Sequence, residues 1–304
     1  MEKAREILVI GGSRYFGKRL VTRLLAAGDR VTVLNRGSSA PPPGASHLVA
    51  DRDDETSLLA ALGSRTFDVV VDQVCYTPRQ AEIARRVFTG RTGRYVMTST
   101  VEVYEYEDSL TPVREDAVDP LTVPVDLELP WHDPEFLDAH YGEGKRQAEA
   151  VFAADPDFPY VAVRVAHVLG GDDDFTGRLE HYASRIRAHE PIAVPFSNQP
   201  ATYIHVEEIA DFLVWAVGED FTGPVNAASH GLLTTVDLCE AIIAHVPEGK
   251  VVLQLVEVGE VSPFSFFRSY GMDNSRATKL GFTFRAAPAW LTAAVAETLG
   301  KGGD

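Results

Sequence analysis

Cysteine is nearly absent from this sequence: Cys75 and Cys239 are the only two in 304 residues. Two thiols build neither a disulfide framework nor a zinc cluster, and both read as buried thiols in apolar surroundings of a cytoplasmic protein. Positive charge is also short, with Lys plus Arg at 28 against 44 for Asp plus Glu, a formal charge of −16. That field repels nucleic acid and anionic membranes, although a local basic pocket can still take a phosphate. Long apolar runs are missing too. Val69–Val71 and Ile209–Val217 fall far short of a membrane span, and the polar start, Met1–Glu6, carries no secretory signal. The nine His are scattered without paired ligand spacing, so no metal site is expected. What remains is an ordinary globular composition, 45% hydrophobic and 24% charged, long enough for one large or two moderate domains.

What the chain does contain is alternation. Ile7–Ile10, Val31–Asn35, Val69–Asp72, Tyr95–Thr98 and Tyr160–Val165 are short β-branched or aromatic runs. Helical patterns separate them at Gly17–Ala27, Thr56–Leu62, Pro78–Phe88 and Ala139–Ala154, while the prolines of Ser38–Ala45 mark a surface loop. The expectation is a doubly wound parallel α/β sheet covered by helices on both faces. Residues 1–165 form this nucleotide-binding domain, with a returning segment at about 201–228. Residues 166–304 form a smaller, mainly substrate-binding α/β region with one short strand at Val251–Val258, and the ligand is expected between the two.

The first strand–helix turn reads Gly11-Gly12-Ser13-Arg14-Tyr15-Phe16-Gly17. Gly11 and Gly12 permit a tight turn and close backbone approach to a pyrophosphate facing the helix N-terminus, and Gly17 permits close helix–strand packing. Plain turn glycines give the same letters. The preceding strand, the following helix and a second strand ending near residue 35 favour a dinucleotide loop, with Tyr15 and Phe16 inside it. The second strand ends Asn35-Arg36 where a carboxylate would read an adenosine ribose. Arg36, with Arg14 from the first loop, suits a 2′-phosphate, so NADP is expected ahead of NAD. The alternative is that either arginine stacks on the adenine or points to solvent.

Tyr141 and Lys145 lie four apart in a predicted helix, on one face. An ammonium near a phenol favours the phenolate, which can exchange a proton with a substrate hydroxyl. Ser99 and Thr100 end a strand as candidate substrate contacts, and Thr100 is placed to hydrogen-bond the same oxygen; ordinary strand-end capping is the competing explanation.

These residues together resemble the extended short-chain dehydrogenase/reductases, the family of sugar-nucleotide epimerases and dehydratases. The family's glycine motif falls on Gly11, Arg14 and Gly17, with arginine replacing the middle glycine, and its Ser/Thr–Tyr–x–x–x–Lys triad falls on Thr100, Tyr141 and Lys145. Its adenine-contact segment resembles Ala50–Asp54, which makes Asp51 and neighbouring Arg52 cofactor residues. "PVREDAVDP", "VRVAHVLGG" and "TYIHVEEIADFL" resemble further landmarks. The "GGSRYFG" and "NRG" pieces are similar to a subgroup related to chloroplast stem-loop RNA-binding proteins. The resemblance implies an NAD(P)-dependent enzyme that oxidises a nucleotide-linked sugar or related metabolite to a transient ketone, then epimerises or dehydrates it. It implies a small-molecule substrate and a homodimer through Pro78–Phe88 and Ala139–Ala154. Glu102 matches a glutamate that family dehydratases and decarboxylases place near the sugar, while Val101 replaces an acidic neighbour. His167 stands where an asparagine often contacts substrate, and Arg178 and Arg185 are candidates for a substrate phosphate. The connection from Leu121 to His140 is longer than usual, and its Trp131, His132 and Asp133 form either a lid or a decorative loop. A one-way ketoreductase is the close alternative. A non-catalytic nucleotide sensor or RNA-binding protein is the alternative from another class.

Overall fold

The computed structural model describes residues 3–300. In chain order its elements are β1 (Glu6–Ile10), α1 (Tyr15–Ala26), β2 (Arg30–Asn35), β3 (Ser46–Val49), α2 (Glu55–Leu62), β4 (Val69–Asp72), α3 (Pro78–Phe88), β5 (Tyr95–Thr100), α4 (Pro134–Ala139), α5 (Tyr141–Ala153) and β6 (Tyr160–Val165). Then come β7 (His167–Leu169), α6 (Arg178–Ala188), β8 (Pro191–Pro195), β9 (Ala201–His205), α7 (Val206–Gly218), β10 (Gly223–Ala227), β11 (Leu232–Leu233), α8 (Thr235–Ile243), β12 (Val252–Val256), α9 (Ser275–Lys279) and α10 (Ala287–Leu299).

Seven strands form one sheet in the order β10-β6-β5-β4-β1-β2-β3. The pairs β1–β2, β2–β3, β1–β4, β4–β5 and β5–β6 are all parallel. The expected doubly wound α/β sheet is therefore present. Strands such as Ile7–Ile10 and Val69–Asp72 are buried throughout because helices cover both faces. The chain moves outward from β1 to β3, then crosses back to β4. The direction of winding thus reverses between β1 and β4, where ligands enter sheets of this kind.

The chain divides into two compact units. The first runs to Glu105 and includes Glu115–Val165 and Ala210–Val225; the second comprises Tyr106–Arg114, Ala166–Ile209 and the residues from Asn226 onward. Within the first unit, Arg164 of β6 is fully buried and pinned by Glu149 of α5, with Nη2 to Oε2 at 2.7 Å. Its remaining N–H groups donate to the Tyr104 hydroxyl and to the Glu115 and Val118 carbonyls. One guanidinium thus ties β6, α5 and the loop after β5 together, and satisfies the buried donors that make a lone arginine costly. The second unit holds a three-stranded sheet, β11-β9-β7, and the parallel pair β12–β8. Its core includes Leu179 and Tyr182 of α6, Leu238 of α8 and Leu291 of α10.

Three local expectations change. The helix expected over Ala139–Ala154 is α5, starting at Tyr141, and a further short helix, α4, precedes it across His140 with φ −122 and ψ 29. Asp133 caps the new helix by accepting from Glu135 and Phe136 N–H groups, with Pro134 at its first position. Helix α1 begins at Tyr15, before Gly17. Strand β3 went unexpected because Ser46–Val49 is a mostly exposed edge strand without alternating burial.

Candidate active site

The loop from β1 to α1 takes the conformation its glycines allow: Gly11 and Gly12 have φ of +93 and +78. A Cβ on Gly12 would stand 2.7 Å from Val9 Cγ1, and one on Gly17 only 2.9 Å from Gly12 Cα. The first turn of α1 is therefore pressed against the loop, as a pyrophosphate cradle requires. Tyr15 adopts a left-handed φ of 48 and is buried, with the Phe16 ring tilted against it at 5.9 Å. Gln73, at the end of β4, also faces Gly17, and its Nε2 is buried with no hydrogen-bond partner. A buried orphan donor beside a helix N-terminus is what a bound phosphate or ribose oxygen would satisfy.

At the end of β2, Asn35 is fully engaged. Its Nδ2 donates to Ser13 Oγ and to the Ser39 carbonyl, both at 2.9 Å. Its Oδ1 accepts from Gly37 N at 2.7 Å and faces His47 Nε2 at 2.9 Å. With all four hydrogen-bonding positions of the amide used, Asn35 braces the two loops and has no capacity left for a ribose. Arg14 and Arg36 are exposed on those same loops, and Arg14 makes no side-chain cap bond to α1. Asp51 is exposed, with Oδ1 accepting from Asp53 N at 3.0 Å. Arg52 turns inward instead. Its guanidinium is buried and donates to Asp72 Oδ2 at 2.5 Å, and that carboxylate also accepts from Tyr95 at 2.6 Å. Cys75 is buried in the apolar core of the first unit as expected, with Arg52, Asp72 and Lys145 close enough to act on it. Its thiol is pushed up to about 12, chiefly by burial.

Tyr141 and Lys145 do share one face of α5, in its first turns. Lys145 is fully buried, and its Nζ donates to the Thr98 carbonyl at 2.7 Å. The ammonium lies 5.8 Å from the Tyr141 ring centroid and 4.5 Å from that of Tyr76. Burial is the largest influence on Lys145 and lowers its pKa to about 8; Cys75 and Asp72 oppose the shift. Two glycines allow α5 to come this close. A Cβ on Gly142 would meet the Glu102 carbonyl oxygen at 2.4 Å, and one on Gly144 would meet that of Tyr76 at 2.5 Å. Thr100 ends β5 and caps the short turn Val101–Tyr104 by accepting from Glu102 N at 3.2 Å. Its hydroxyl proton stays available to a substrate oxygen. Glu102 is half-buried in that turn. Ser99 points elsewhere: its hydroxyl donates to the buried carboxylate of Glu149 at 2.5 Å. Trp131 is buried with its indole N–H on the Asp126 carbonyl, whereas His132 and Asp133 are exposed. Sequence reasoning missed Gln73, Asp72 and Tyr76. All three follow from the end of β4, and a polar cluster directly after an apolar strand was the available signal.

In the second unit, His167 is buried among aromatic rings. It stacks on Phe266 at 4.9 Å and lies 5.5–5.6 Å from Tyr203, Phe264 and Tyr270. Burial first, then Arg178 and Arg268, lower its pKa to about 3, so the imidazole stays neutral. Its Nε2 is buried without a hydrogen-bond partner. The Arg178 guanidinium sits over Phe264 at 5.2 Å. Arg185 bonds the Pro191 carbonyl at 2.8 Å within the same unit. A surface hollow lined by Phe196, Ser197, Glu257 and Phe267 includes none of the expected site residues. Among the described residues no cluster suited to a metal ion occurs, and no helix is long and apolar enough to cross a membrane.

Comparison with known proteins adds the following. The model of the NAD dependent epimerase/dehydratase family matches residues 7–228. The chloroplast stem-loop binding protein of 41 kDa b of Arabidopsis thaliana is 26% identical over 234 residues, 71% of this chain and 56% of that protein. UDP-glucuronic acid decarboxylase 1 of Arabidopsis thaliana is 24% identical over 270 residues, 79% of this chain and 58% of that protein. The chain thus spans little more than half the length of these relatives. The Bordetella bronchiseptica enzyme WbmG, solved in complex with NAD and UDP, superposes with a TM-score of 0.76 at 16% identity, covering 98% of this chain and 94% of that one.

Proposed function

Since the chain belongs to the NAD dependent epimerase/dehydratase family, we propose that it is an NAD(P)-dependent enzyme acting on a nucleotide-linked sugar through a transient ketone. The observation that carries this reading is the buried Lys145 ammonium, fixed on the Thr98 carbonyl at 2.7 Å and facing Tyr141 one helical turn away. The glycine cradle, the orphan Gln73 Nε2 and the exposed Arg14 and Arg36 fit a dinucleotide, and the two arginines favour NADP over NAD. Bound there, the nicotinamide supplies hydride exchange with a carbinol carbon.

Tyr141 takes the proton of the substrate hydroxyl and returns it to the ketone later. Lys145 favours the phenolate through its adjacent positive charge. Thr100 donates a hydrogen bond to the same oxygen and fixes its distance from Tyr141. Once the neighbouring carbon is a ketone, its C–H is acidified, and Glu102 is the base that removes that proton. Asp51, with the loop residues Tyr15 and Phe16, borders the adenosine. In the second unit, His167, as a neutral hydrogen-bonding ring, and Arg178 are the residues proposed to bind substrate. Replacing Tyr141 by Phe keeps the ring and removes the proton carrier. Tyr141→Phe is therefore expected to bind NADP as the wild type does and to lose turnover; retained turnover contradicts the mechanism.

Similarity to a stem-loop binding protein supports a second reading, an RNA-binding role. Filter binding with structured RNA at moderate salt separates the two. The −16 charge predicts no retention.

A further inference from the structure

A lysine ammonium has three donors, and a buried one without partners is costly. Lys145 uses one on the Thr98 carbonyl, its single hydrogen-bond acceptor among the described residues. The nearby acids are committed elsewhere. Asp72 accepts from Arg52, Tyr95 and Val74 N, and Glu149 is bound to Arg164 and Ser99. Of the remaining groups acting on Lys145, Arg52 is a like charge and Cys75 is a neutral thiol held well above its ordinary pKa by burial. What faces the ammonium is an aromatic ring, and the closer one is not Tyr141. The Tyr76 centroid lies at 4.5 Å from Nζ and 6.2 Å from the Tyr141 centroid, so this ring adjoins both members of the proposed pair.

We propose that Tyr76 is a positioning residue whose ring face keeps Lys145 charged and aimed at Tyr141. The idea rests on the Tyr141–Lys145 reading above. Tyr76 is well placed for the task. Its backbone N–H is held by Gln80 Oε1 at 2.6 Å, and its carbonyl lies where only a glycine at position 144 leaves room. The loop after β4 and the first turns of α5 are thereby locked together, with the ammonium over the negative face of the ring. The hydroxyl has no part in this, so phenylalanine should serve nearly as well.

The test is a direct titration of the 304-residue chain, which needs no substrate. The chain has six lysines, Lys3, Lys18, Lys145, Lys250, Lys279 and Lys301. Selective isotope labelling of lysine therefore gives few NMR signals, and Lys145→Arg identifies the one of interest. Tyr76→Phe is expected to leave the Lys145 pKa close to the wild-type value, while Tyr76→Leu lowers it by about one unit. Trifluorinated phenylalanine at position 76 preserves shape and removes the negative ring face. It should reproduce the fall without repacking, which keeps the test decisive if Tyr76→Leu folds poorly. The proposal is overturned if the fluorinated ring titrates like phenylalanine, or if Phe and Leu shift the pKa equally. If the titrations behave as stated and no substrate is turned over, the positioning role stands and the catalytic reading fails.

Discussion

Alanine at position 144 sets two physical effects against each other. In the interior of α5, helix propensity favours Ala over Gly by about 1 kcal/mol. A new Cβ would, however, lie 2.5 Å from the Tyr76 carbonyl oxygen and 3.3 Å from Trp131 Cζ3. A backbone carbonyl cannot rotate aside as a side chain can, so the helix must retreat by about 1 Å to reach ordinary contact. Overpacking of this kind costs about 1–3 kcal/mol, which cancels or exceeds the propensity gain. Gly144→Ala is therefore expected to lower stability by about 1 kcal/mol in a urea titration. The same retreat withdraws Tyr141 and Lys145 from Thr100. A displacement of about 1 Å at reacting groups is worth up to about 100-fold in rate, so turnover should fall far more than cofactor affinity. A variant more stable than wild type, with full turnover, would show that the close approach of α5 has been misread.

If Lys145, with a pKa lowered to about 8, works in its charged form as proposed, turnover should fall as pH rises through about 8, and Lys145→Arg should remove that limb from the pH–rate profile. Arg14→Ala and Arg36→Ala should each weaken NADP binding about tenfold while sparing NAD, measured by calorimetry. Equal loss for both nucleotides would return the two arginines to stacking or solvent. Arg164→Met leaves the Glu149 carboxylate buried without its cation, so thermal unfolding should show a loss of about 3–5 kcal/mol.

The parallel sheet was legible because its strands are unbroken apolar runs separated by helical periodicity, and a sheet buried on both faces forces that pattern. Tyr141 and Lys145 were legible because helical spacing alone puts them on one face. The environment that tunes them was not. Asp72 looks like the polar end of a strand, yet it lies fully buried with partners at Arg52 and Tyr95. Ser99 resembled a ligand contact because its true partner, Glu149, is 50 residues away. Asn35 was read as an absence of charge. In the structure it is a saturated brace between two loops, which moves the question of nucleotide choice onto Arg14 and Arg36. Helix α4 was hidden because Pro134–Ala139 is short and buries no residue, so it carries no apolar period.

The proposed turnover depends on a nicotinamide being reduced beside Tyr141. The direct measurement is the absorbance of reduced nicotinamide after rapid mixing of the NADP- or NAD-loaded protein with UDP-hexoses and UDP-glucuronic acid. A rise is expected with at least one of these sugars, and its loss in Tyr141→Phe protein that still binds the cofactor. A rise undiminished by that substitution, or none with any sugar despite bound cofactor, would contradict the proposed mechanism.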